Sequence, residues 1–329
     1  MEIRRKLFIA LGASALAAPL ISLAQQQGKV WRIGFLSQIV RPASLDGDIF
    51  GRFRQAMRKL GYIEGENLVI EWRFADDRID NLPPLASELA SMRLDAIVCG
   101  GTPAARAAKA ATSTIPIVME GGDPVGSGMV KSLSRPGGNV TGVSNINLEI
   151  SPKRLEMLLG FIPTLKRVAV LTNPANANGA LMVKHLQTGA QKTGVSVLTF
   201  GARSTQEIED AFTAMVRDKA GAVIVAQDLF FIQQRRLVTE TALKHKLPSI
   251  SGYREFAEVG GLMSYGPDLQ NHYARMAYYV DRILKGAKPA DLPVEQPMEI
   301  ELFINGKTAK ILGLKIPQSL LIVANKVIE

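Results

Sequence analysis

The stretch CGGTPAARAAKAAT, residues 99–112, runs a glycine pair into a helix start that carries only small side chains. Thr102 and Pro103 suit the opening positions of a helix, so one reading is a plain cap. The other is an anion site. Gly100 and Gly101 let a ligand approach the backbone, Ala104 leaves the amides uncovered, and a helix N-terminus favours carboxylate or phosphate. AQDLFF, residues 226–231, offers the opposite chemistry: Asp228 either caps the helix from Leu229 or holds an ammonium group. Asp123 in GGDPVG is either a second acid or a turn residue, and Asn173, before Pro174, is either a ligand group or a turn. Phe230, Phe231 and Tyr253 are placed to pack on an apolar ligand body, and for the two phenylalanines the lobe core is the other role. An anion-holding helix start opposite an acid fits a zwitterion, such as an amino acid.

Enzymatic constellations are not found. The first strand-like run is followed by no G-x-G-x-x-G, and the chain has no GxSxG elbow, P-loop or HExxH. Cys99 is the single cysteine, so no disulfide forms within the chain and no cysteine-based zinc site exists. His185, His245 and His272 are far apart, and the first two fall on amphipathic helical patterns rather than at metal-ligand spacing. The expectation is a protein without cofactor or metal and without catalytic activity.

The elements that must position these groups alternate regularly. WRIGFLS, LVIEWRF, LDAIVCG and IPIVMEG read as buried strands, separated by helical patterns beginning at IFGRFRQAM, NLPPLASEL and TPAARAAKA. The order then repeats with LKRVAVLTN, VSVLTFGA, AGAVIVAQD and LPSISGY as strands, and with helices at ANGALMVKH, STQEIEDAF and across residues 229–246. Strand–helix alternation of this kind builds a parallel sheet covered on both faces. Two matching halves predict two doubly wound α/β lobes joined by a hinge near residues 144–150. The expected divisions are 25–144 plus about 266–296 for one lobe, and 145–265 plus about 297–329 for the other.

In open parallel sheets ligands sit beyond the carboxyl ends of the strands. Those ends carry Ser37 and Gln38, Gly101 and Thr102, and Asp123 in the first half. In the second half they carry Asn173, Asp228 and Tyr253. Lobes that face each other would bring these residues to one cleft.

The net charge of +9 comes from scattered Lys and Arg, with no run longer than Arg4–Lys6 and no basic stripe interleaved with aromatics. Nucleic acid is therefore not an expected partner. The amino terminus has the three parts of a secretory signal: Arg4, Arg5 and Lys6, an apolar run from Leu7 to Leu23, and a small-residue site at Ser22-Leu23-Ala24. Cleavage is expected after Ala24, and Arg4-Arg5 also resembles a twin-arginine signal. The mature chain is then an exported, periplasmic, soluble protein.

Several stretches carry a family resemblance: IGFLSQ, GTPAARAAKAAT, IPIVMEGGDPVGSGMVKSLSRPGGNVTGVS, RVAVLTNP, GGLMSYGPD and the closing run from YVDRILKG to PQSLL. Together they resemble the ABC-transporter substrate-binding proteins of the ABC_sub_bind (TrpX-like) family, over residues 30–329. The resemblance implies a type I periplasmic-binding-protein fold, capture of a small solute (amino acids for some members), and delivery to a permease with a separate ATPase. It places Ser37, Thr102 and Ala104 on a carboxylate and Asp228 on an amine. Relatives commonly carry Pro near position 227, where this chain has Gln227, which alters the rim beside Asp228. A monomer is expected. The competing readings are a ligand-binding sensory module of a membrane receptor, and an exported α/β enzyme.

Overall fold

The computed structural model describes residues 29–47 and 49–329; the targeting segment expected over residues 1–24 lies outside the described residues. Two sheets organise the chain. The first half runs β1 (Trp31–Ser37), α1 (Ile49–Lys59), β2 (Leu68–Phe74), α2 (Leu82–Ser91), β3 (Ala96–Gly100), α3 (Thr102–Ala111), β4 (Ile117–Gly121) and β5 (Val140–Ser144). After residues 145–150 come α4 (Ser151–Phe161), β6 (Arg167–Thr172), α5 (Ala177–Ala190), β7 (Ser196–Gly201), α6 (Thr205–Arg217), β8 (Ala222–Val225), α7 (Leu229–Gln233), α8 (Arg235–Lys244), β9 (Ser249–Ser251), α9 (Arg254–Glu258) and β10 (Met263–Gly266). The tail adds α10 (Leu269–Leu284), β11 (Glu301–Asn305), α11 (Gly306–Ile311), α12 (Gln318–Val323) and β12 (Lys326–Ile328).

The first sheet has the order β2-β1-β3-β4-β5 and is parallel throughout. The second has the order β12-β11-β10-β9-β8-β6-β7, so β6 to β10 repeat the order of β1 to β5. At one edge β11 runs antiparallel to β10, and β12 runs alongside β11 in the same direction. These are two α/β lobes of one topology, as the repeated alternation predicts. Strands buried on both faces explain why their sequences are continuous apolar runs rather than alternating ones: β3, AIVCG, and β8, AVIV, are buried at every residue.

The chain passes between the sheets at residues 145–150, again at Pro267–Asp268, and a third time between α10 and β11. Helix α10 packs on the first sheet: Tyr273 stacks on Phe35 of β1 at 6.2 Å between ring centroids and meets Phe50 of α1 edge-on. A short bridge between Val143 and Glu295 ties the third crossing to β5. Ser144 N donates to Glu295 O at 2.7 Å, and Glu295 N donates to Gly142 O at 3.1 Å.

One local reading needs correction. The helical pattern over residues 229–246 is two helices, α7 and α8, broken at Gln234, whose backbone leaves the helical region (φ −89°, ψ 14°). Strand β11 starts at Glu301, and Met298 before it is almost wholly exposed. The short elements α9, α12 and β12 carry too few residues for periodicity to reveal them. No helix among the described residues is long and apolar enough to cross a membrane.

Candidate functional site

The carboxyl ends of both sheets meet at a small interlobe cavity of about 20 Å³, room for about one water molecule. Gln38, Thr102, Glu120 and Asn145 line it on the side of the first lobe and the hinge; Asn176, Asn178, Gln227, Asp228 and Tyr253 line it from the second lobe.

Helix α3 begins differently from the cap expected of Thr102. Gly101 holds the cap position at φ +92°, a conformation that favours glycine, and Thr102 is the first helical residue. Its hydroxyl, freed from capping, turns to the other lobe: Asn178 Nδ2 donates to Thr102 Oγ1 at 3.0 Å. A Cβ on Gly121 would stand 2.6 Å from that hydroxyl, so the close approach of β4 to α3 requires glycine there.

Asp228 performs both jobs that its position allows. As N-cap of α7 it accepts from Phe230 N at 2.9 Å. The same carboxylate also faces the cleft: Gln38 Nε2 donates to Oδ1 at 2.5 Å from the opposite lobe, and Asn176 Nδ2 donates to Oδ2 at 2.8 Å. Burial pushes the Asp228 carboxyl above the ordinary range, while Asn176, the Phe230 amide, Asn173 and Gln38 pull it back. Asp77 carries a related strain: burial raises it to about 6, and the neighbouring charges of Asp228 and Asp76 add to the rise. At the outer rim, Gln233 pairs with the backbone of Val40 in both directions, at 3.3 and 3.0 Å. The lobes are thus closed on one another through side chains complementary in hydrogen bonding.

Not every expected residue reaches the cavity. Gln38, Thr102, Pro103, Asp228 and Tyr253 line it. Ser37 is fully buried beneath, its Oγ 3.6 Å from the Cβ position of Gly100. Ala104 faces the first lobe's core. Asp123 accepts from Gly126 N at 2.7 Å in a tight turn with φ +40°, so its turn reading holds and it does not line the cavity. Asn173 likewise folds back on Ala175 N at 3.1 Å, although it stands close enough to influence Asp228. Phe230 and Phe231 belong to the core.

Sequence reasoning passed over Glu120, Asn145, Asn176 and Asn178. The only signal for the asparagines was their density in SNIN and TNPANANGA, which reads equally as turn composition. It also passed over Arg154 on α4, which is fully buried. Its guanidinium donates to Tyr265 O at 2.8 Å, Asn147 O at 3.1 Å and Asn147 Oδ1 at 2.5 Å, with no carboxylate partner among the described residues. Burial lowers it to about 9. Gly252 makes room for this group: a Cβ there would lie 2.1 Å from Gln227 Nε2 and 2.6 Å from both Arg154 Nη2 and Asn147 Oδ1. Gln38 Oε1, both polar atoms of Gln227, Ser37 Oγ, Ser144 Oγ and Ser251 Oγ are buried without a partner among the described residues. Such groups are costly unless water or a ligand meets them.

Comparison with known proteins gives this arrangement a context. The family model described as "ABC transporter substrate binding protein" matches residues 35–328. A tyrosine-binding protein of Clostridioides difficile (strain R20291) is 32% identical over 281 residues, covering 85% of this chain and 80% of the relative. Among solved structures, an ABC domain in complex with L-Trp from Streptococcus pneumonia matches with a TM-score of 0.82 and 31% identity, over 91% of this chain and 99% of that one. The ligand-free, open structure of a substrate-binding protein with adhesive properties from Clostridium difficile matches with a TM-score of 0.62 at 29% identity, with the same coverages.

Proposed function

The chain belongs to the ABC transporter substrate-binding protein family, and from that premise we propose that it captures an amino acid or related zwitterion between its lobes. The observation that carries this reading is Asp228: a buried carboxylate on one lobe, at a cavity whose opposite wall is the open start of α3. The acid suits an ammonium group, and the α3 amides suit a carboxylate. Relatives whose names record tyrosine and L-Trp as ligands support the amino-acid class.

Binding proceeds by hinge motion. The enclosed volume is far below that of an amino acid, so the lobes must part about the three crossings for a ligand to enter. The higher TM-score against the L-Trp complex than against the open structure, at nearly equal identity and coverage, supports a closed arrangement here. In this reading one lobe comprises residues 25–144 with about 266–296, and the other 145–265 with about 297–329. The protein works as an exported, periplasmic monomer without catalytic activity, released from a signal peptide. It hands its ligand to a permease driven by a separate ATPase.

The test is mass spectrometry of ligand released from purified protein, followed by calorimetry with that compound and with L-tyrosine and L-tryptophan. Capture of an amino acid, bound more weakly by Thr102→Ala, supports the proposal. Absence of amino-acid binding, or chemical turnover of the bound compound, overturns it.

A further inference from the structure

The charge balance of the interlobe cavity narrows the ligand. Fourteen residues line it, and none is Lys, Arg or His. Two are acids from opposite lobes: Asp228 and Glu120, the latter on β4 and 2% exposed. An amino acid with a neutral side chain brings one ammonium, which Asp228 takes, and one carboxylate, which the α3 amides take. Glu120 is then left over.

Among the described residues no lysine or arginine pairs with Glu120. Asn145 Nδ2, a neutral donor, gives Oε1 a hydrogen bond at 2.8 Å. His272 Nδ1 lies 3.6 Å from Oε1, within ion-pair distance, and neither of its ring nitrogens has a hydrogen-bond partner among the described residues, so it offsets Glu120 only when protonated. Arg154, the buried cation of the other lobe, spends its guanidinium on Tyr265 and Asn147. A carboxylate enclosed without a permanent facing cation is expensive, and the cost is recovered when a positive partner arrives.

A second observation points the same way. Gln38 is 2% exposed and lines the cavity, and its Oε1 has no donor among the described residues; Gln227 Oε1 is in the same position. Beside these two acceptors, Gln227 Nε2 is a lining donor without a partner among the described residues. At the buried glutamines the cavity thus has more unmet acceptors than unmet donors, and no lysine or arginine lines it.

Resting on the amino-acid reading above, we propose that the ligand is an amino acid whose side chain carries a second cationic nitrogen, ammonium or guanidinium, and that Glu120 is the residue selecting it. Asp228 holds the α-ammonium, while Glu120 and the carbonyls of Gln38 and Gln227 receive the donors of the side chain. Charge-assisted bonds of this type are the strong ones, and a site built around them rejects the uncharged isostere because its own groups are left unpaired.

The experiment is calorimetry on the mature protein at pH 8, where an ordinary histidine is neutral, using L-arginine, L-lysine, L-citrulline and L-tyrosine. L-Arginine or L-lysine is expected to bind at least about tenfold more tightly than citrulline and tyrosine. Glu120→Gln is expected to bring the arginine-to-citrulline ratio to within about threefold. The wild-type comparison stands by itself if that variant fails to fold. Tyrosine or citrulline binding as tightly as arginine and lysine overturns the proposal, as does a folded Glu120→Gln protein with an unchanged ratio. Binding of neutral amino acids alone overturns the cationic assignment and leaves the amino-acid reading in place, whereas binding of none of the four removes both.

Discussion

Replacing Asp228 by asparagine separates the two jobs of its carboxylate. In the native protein Oδ1 accepts from Phe230 N and Gln38 Nε2, and Oδ2 accepts from Asn176 Nδ2. Asparagine keeps Oδ1, so the cap on α7 survives. It presents an NH2 group where Oδ2 stood, facing the NH2 of Asn176, and that clash of donors costs about 1–3 kcal/mol. Against this, the substitution removes a buried negative charge that burial already disfavours. The two effects oppose, so the stability of the ligand-free protein should shift by no more than about 1 kcal/mol, or roughly 2–4 °C in Tm for a chain of this size. Binding has no such offset. A charged hydrogen bond to an ammonium is worth about 1.5–3 kcal/mol, which is roughly 10- to 150-fold in Kd. Calorimetry with the ligand identified from the purified protein, beside thermal denaturation without ligand, reads both quantities. A Kd within about twofold of wild type would show that Asp228 is only a helix cap, and the amine-binding argument would fail.

Gly252→Ala should lower the Tm by roughly 5–15 °C, from about 2–4 kcal/mol of disruption around a buried guanidinium; an unchanged melting curve would mean that Arg154 and Gln227 relax freely. Asp77 is raised to about 6, above its unfolded value, so the folded state binds more protons between the two values. Its contribution is fully present below the unfolded value and lost as pH rises through about 6. Asp77→Asn should therefore raise Tm at pH 7 relative to wild type and leave little difference at pH 4, as read by melts across that range. Gln233→Ala removes the two bonds to the Val40 backbone, and interlobe fluorescence transfer should report a shift toward open lobes of up to about 30-fold in the open-to-closed ratio, since each net bond is worth about 1 kcal/mol. No change in transfer would place the closure energy elsewhere.

Most of the fold was legible because its strands and helices are long, and each carries its own burial pattern. The apolar runs of β1 to β4 and of β6 to β9, with the intervening helices, required no knowledge of distant partners. Ser204 shows how local such signals are: it caps α6 by accepting from Glu207 N, three residues away. Where elements are short, as in α9, α12 and β12, the pattern is too brief to distinguish from loop. The break between α7 and α8 falls beside Gln233, whose side chain bonds across the cleft to Val40, 193 residues away.

The site divides along the same line. The sequence alone established the two repeated α/β halves, the helix start at Thr102, the acid at Asp228 and their equivalent positions at strand ends, because strand–helix corners are set by neighbours in the chain. Only the tertiary structure decided that Gln38 reaches Asp228 over 190 residues, that Asn178 reaches Thr102, and that Glu120 enters the cavity while Asp123 and Ala104 turn away. Arg154 is the sharpest case: no local pattern marks it, and the packing of hinge and sheet buried it whole. Such partners are chosen by how two lobes close, and that closure is a property of surfaces assembled from residues far apart in the chain.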